Sequence, residues 1–208
     1  MEPGNVSAII SAAAAISGVV LGNVLSAFKE ALAKRAKESQ ETSYLGVIVV
    51  SHLDRFATGC LDVALDDGSE YGRPAGERGE YVPVATPPEF LPLSISVDWR
   101  LLPKNLMYSI LRLPDKQDQL EGSLAAIQEF NYDPPDHGEF FWARQRGYAV
   151  LGLQASKLAL ELRKHAVLPV EESDPGDWNR DKKLEEVIAD IDGRRKAYES
   201  RQSKGISV

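Results

Sequence analysis

Between Val6 and Phe28 the chain carries 23 consecutive residues without a charge, VSAIISAAAAISGVVLGNVLSAF, and no other feature constrains the fold as strongly. As a helix, such a run reaches about 34 Å, enough for a hydrocarbon core of about 30 Å. Ten of its residues are strongly apolar, and the others are Ala, Ser, Gly or Asn23. The span is therefore only weakly hydrophobic and is expected to seek a partner helix. At about 100° per residue, Ser7, Ser11, Ala14, Ala15, Gly18, Gly22 and Ser26 share one stripe, with most bulky side chains opposite. Gly18-Val-Val-Leu-Gly22 is a GxxxG inside that stripe, and small residues let two helix backbones approach closely in lipid. The expected helix–helix contact of a homo-oligomer is Ser11, Ala14, Ala15, Gly18, Gly22 and Ser26.

The charges on either side orient the span. Lys29, Lys34, Arg35 and Lys37 follow it, against Glu30, while Met1–Asn5 carries only Glu2 and no basic signal-peptide region. The positive-inside rule places the bulk of the chain in the cytoplasm of a single-pass protein. As a basic juxtamembrane set, these four cations suit a topology signal or contact with anionic headgroups. One cysteine, Cys60, excludes an internal disulfide framework and suits a reducing compartment. The net charge of −7 argues against a nucleic-acid partner.

The fold expected is mainly α: a leader and transmembrane-type helix (1–28), a juxtamembrane helix (29–43), then an antiparallel helical bundle (44–166). A linker (167–176) and a charged C-terminal tail helix with a disordered end (177–208) follow. Lys37 to Ser43 turns polar and marks a joint. Tyr44 to Ala64 places Leu45, Val49, Leu53, Phe56, Cys60 and Val63 at helical spacing, with His52 beside this seam as a packing residue. A Gly/Pro-rich excursion occupies 67–97. Its glycines and prolines forbid a helix, leaving short extended pieces at Glu80–Ala85 and Leu93–Val97, and its apolar residues wrap the core or meet a partner.

Pro103 opens a short helix ended by Leu113-Pro114. Asp115 caps the next, whose seam is Leu120, Leu124, Ile127 and Phe130. Asp136 and Glu139 have capping-box spacing at the start of a helix from His137 to about Ala166, in which Gly147 and Gly152 mark close approach. The last helix, to about Arg201, carries a narrow stripe of Leu184, Val187, Ile188, Ile191 and Tyr198. Asp190/Arg194 and Asp192/Lys196 are i,i+4 pairs on it.

Chemistry is thinly signalled. Asp133, Asp136, His137 and Glu139 crowd seven residues, but turn and cap roles account for them and no zinc-type pair accompanies them. The chain has no phosphate-binding GxxxxGK[ST], no GxGxxG and no GxSxG elbow. No catalytic, metal or cofactor residues are assigned. The expected function is noncatalytic: a bitopic membrane protein that self-associates through its small-residue face and presents a cytoplasmic domain to a protein partner. The alternatives are a soluble helical subunit of a particle or filament, with the first helix as an assembly element, and an enzyme or metal protein without familiar motifs.

Overall fold

Helix α1 runs unbroken from Pro3 to Leu65. The computed structural model describes the backbone of residues 3–131, 133–169 and 178–205, and the side chains of 25, 26, 28–131, 133–169 and 178–201. The chain divides into two compact units, Met1–Ser43 and Tyr44–Val208, and α1 contributes to both. The expected joint at 37–43 does not interrupt the helix. This stretch has neither Gly nor Pro, and Thr42 Oγ1 satisfies itself on the Glu38 carbonyl at 2.8 Å.

In the second unit, α1 is followed by a minimal antiparallel hairpin, β1 (Ser69–Glu70) with β2 (Arg73–Pro74). Two 3₁₀ turns follow, Pro92–Ser94 and Trp99–Leu101. Then come α2 (Lys104–Leu111), α3 (Leu113–Phe130), α4 (Gly138–His165) and α5 (Arg180–Gly205). The extended pieces expected at 80–85 and 93–97 do not form strands. The hairpin sits earlier, where Gly68 and Gly72 supply positive φ of 79° and 74° for the reversals.

Helix α4 is the axis of the bundle, and three neighbours run antiparallel to it. Against α1, Asp54 meets Arg163 and Asp66 meets Arg144. Against α3, Lys116 Nζ meets Gln154 and Tyr148 meets Glu121. Against α5, Ser156 meets Asp181 and Arg146 meets Asp192. Close packing follows from missing side chains. A Cβ on Gly147 would lie 2.3 Å from Leu120 Cδ1, and one on Gly152 would lie 3.0 Å from both Cys60 Cβ and Leu184 Cδ1. The core comprises Leu45, Val49, Leu53, Phe56, Cys60 and Val63 of α1, with Ile110, Leu113, Tyr148, Ala155 and Leu162. A second cluster, Leu61, Ala64, Ala149 and Leu184, seats α5.

Several local expectations are corrected. His52 is exposed and does not pack. Helix α3 begins at Leu113, with Pro114 in the first turn where its missing N–H costs nothing, so Asp115 is a first-turn acid rather than the cap. Phe130 is 76% exposed and leaves the seam. His137, at φ 45° and ψ 41°, is the residue before α4, and no side chain closes a capping box there. Helix α5 continues to Gly205, past the expected disordered end at Ser200. The linker residues 170–176 lie outside the described residues.

Candidate functional site

The predicted contact stripe lies mostly outside the described side chains: Ser11, Ala14, Ala15, Gly18 and Gly22 are known only as helical backbone. Ser26 is exposed. Lys29, Lys34, Arg35 and Lys37 are exposed on α1. Lys34 and Lys37 approach Glu38 and Glu41 at 3.9 and 3.8 Å, loose i,i+4 pairs that contribute a few tenths of a kcal/mol each. Apolar Leu25, Phe28 and Leu32, exposed by 58%, 60% and 49%, lie on the same segment. Among the described residues no helix is long and apolar enough to cross a membrane. The side chains of 6–24, where the sequence places the span, are not among them.

The acidic–histidine crowd at 133–139 is dispersed by its partners. The His137 N–H donates to the Asp133 carbonyl at 3.0 Å, and its ring lies 4.0 Å from the Asp133 carboxylate. Glu139 turns away to pair with Arg195 of α5. Among the described residues no three His, Cys, Asp or Glu are grouped to hold a metal ion.

The densest polar constellation is one that sequence reasoning missed. Asp66 and Arg144, both only 4% exposed, pair at 2.7 Å. The same Asp66 oxygen accepts the Val84 and Ala85 N–H groups, each at 2.9 Å, and its other oxygen accepts Gly68 N–H. Arg144 also donates to the Ala85 carbonyl at 2.6 Å, and Gln145 donates to the Asp66 carbonyl. Burial pushes the Asp66 carboxyl up, but the hydrogen bonds from Ala85, Gly68 and Arg144 outweigh it and hold it below the ordinary carboxylate value. This is a clasp. It fastens the 67–97 excursion to the end of α1, and Phe90, packed 5.4 Å from Phe56, secures the next stretch. The signal available in the sequence was an arginine in helical register with Tyr148, Leu151 and Ala155 on the apolar face of α4.

A groove of about 390 Å³ opens beside the clasp, between Pro83–Pro87 and helices α3 and α4. Glu121 on its wall accepts from Tyr148 Oη at 3.0 Å and from Gln117 Nε2 at 3.1 Å. Burial and the Glu121 carboxylate push the Tyr148 phenol well above its ordinary value, so it is a hydrogen-bond donor and not a base at neutral pH. Cys60 is fully buried. Its thiol is pushed up to about 12 by burial, only partly opposed by the charge of Arg180, which makes it a packing group rather than a nucleophile.

Asp54 ties α5 down. It takes Arg163 and Arg180, while Arg180 also donates to Ser156 Oγ at 2.8 Å and Ser156 donates to Asp181 at 2.7 Å. Arg146 meets Asp192 at 2.6 Å, so the expected Asp192/Lys196 pair gives way to one between helices, whereas Asp190/Arg194 forms at 2.8 Å. Asp66, Arg144, Asp54, Arg163, Arg180, Arg146 and Asp192 thus fasten segments of this unit together. No protein-family model, curated protein or solved structure matches the chain.

Proposed function

We propose that this chain is a noncatalytic single-span membrane protein that pairs through its small-residue helix face and presents residues 44–208 as a helical interaction domain. One observation carries the reading: the charge-free run 6–28 lies on continuous helical backbone and is followed at once by a basic segment. A helix satisfies all its own backbone polar groups, the condition for entering hydrocarbon. The cations beyond it suit the cytoplasmic side. The noncatalytic half of the reading draws on the fate of the ionic groups. Asp66, Arg144, Asp54 and Arg180 hold elements to one another, and Cys60 is sealed in the core.

The second reading, a soluble subunit whose first helix packs into an assembly, is favoured by Leu32. This exposed apolar residue lies past Lys29 and Glu30, where a lipid contact no longer accounts for it. Carbonate extraction separates the two. The full chain is expected to stay in the membrane pellet, while a chain beginning at Lys29 is released. Full-length protein in the supernatant as a defined oligomer would instead select the assembly.

A further inference from the structure

Leu25, Phe28 and Leu32 are spaced three and four apart, the repeat of a helix that supercoils with another helix. Read towards the N-terminus, the alternation continues in the sequence without a slip through Leu21, Gly18, Ala14, Ser11 and Ser7. Within residues 44–208 the chain uses the same spacing at Val49, Leu53, Phe56, Cys60 and Val63, and there every position is covered by neighbouring segments to 2% exposure or less. In residues 1–43 the three described apolar positions remain about half open to solvent or more.

Five of the seven charged residues from Lys29 to Glu41 are sorted away from these positions, while Lys29 flanks them and Arg35 falls in line with them. At about 100° per residue, Glu30, Lys34, Lys37, Glu38 and Glu41 cluster on the side opposite Leu25, Phe28 and Leu32. Four of these five charges already pair within the helix, Lys34 with Glu38 and Lys37 with Glu41. A second copy laid alongside in the same direction therefore meets no like charge at a seam position from Ser7 to Leu32. The next seam position is Arg35, where two guanidinium groups would face each other, so the seam ends there.

We infer that Leu25, Phe28 and Leu32 form the end-of-span and juxtamembrane part of a parallel, in-register two-helix seam with a second copy of this chain. The parallel direction rests on the single-span reading above, since two copies inserted the same way have no other choice. The apolar trio and the small-residue stripe then serve one partner. Small side chains set the approach within the span, and larger ones close the pair at its end and just beyond it.

Single cysteine substitutions test this in the full chain in native membranes, with Cys60 left in place because it is buried. Disulfide-linked dimer is read after mild oxidation, thiol quenching and denaturation. Leu25→Cys, Phe28→Cys and Leu32→Cys are expected to give at least about fivefold more dimer than Glu30→Cys or Lys34→Cys, which face away from the seam. Equal dimer at all five positions, or none at the trio, overturns the seam. Protection of Leu32→Cys, which lies beyond the span, from maleimide without dimer also overturns it, because another protein then covers the face. Fractionation of the same samples separates the two proposals. Periodic crosslinking in a soluble fraction upholds the seam and defeats the anchor, whereas protein in the membrane pellet without periodicity does the reverse.

Discussion

At the scale of single residues, the Asp66–Arg144 pair is the most consequential contact in the described structure. Both groups are buried, and every oxygen of the Asp66 carboxylate is engaged. Asp66→Asn leaves the Arg144 guanidinium without its counter-charge and is expected to cost about 3–5 kcal/mol in denaturant unfolding. The sign of the pH dependence follows from the direction of the shift. Asp66 titrates lower in the folded chain than in the unfolded one, so its contribution is present above the ordinary carboxylate value and fades as pH falls through the folded one. Wild-type stability should therefore drop below about pH 4 more steeply than that of Asp66→Asn. A pH profile that is identical in the two proteins would remove Asp66 from the account. None of this pairing was legible from spacing, because the partners are 78 residues apart in the chain and the excursion between them has no period to read. The same limit misplaced the cap of α4. Asp136 and Glu139 have the right spacing, but Glu139 finds a stronger partner in Arg195, which no local rule anticipates.

At the scale of elements, periodicity was sufficient wherever one helix face is buried. The seam from Leu45 to Val63 and the helices ending near Phe130 and His165 were readable because apolar residues recur at helical spacing between clear breakers. Boundaries were less readable. Arg112 alone separates α2 from α3, and the proline that appeared to end one helix instead begins the next. The narrow stripe on α5 was visible, but its destination was not. Leu184 and Ile191 are buried, and ionic ties from Arg146 and Asp54 complete the docking on α4 and the second-unit part of α1. Leu184→Ala should cost about 2–5 kcal/mol, since it empties a site closed by Gly152. It should also raise the rate at which Cys60 reacts with a thiol reagent under native conditions, because Leu184 and Cys60 approach the same glycine. An unchanged Cys60 rate would mean that α5 does not guard that part of the core.

At the scale of the whole molecule, the chain comprises two units with different physics. The described residues of the second unit are held by a buried core and by ionic clasps. Residues 3–43 belong to one helix, whose sequence carries a small-residue stripe between 7 and 26 and sets most of its charges opposite Leu25, Phe28 and Leu32. The membrane proposal rests on the run 6–28, and depth is what it predicts most directly. A fluorophore on Val19→Cys, near the middle of that run, reports it in vesicles whose lipids carry bromine at different acyl-chain positions. The account predicts strongest quenching by bromines nearest the bilayer centre, with Cys60 left unlabelled in the core. Emission that no brominated lipid alters would contradict it and place the first helix in water or against protein.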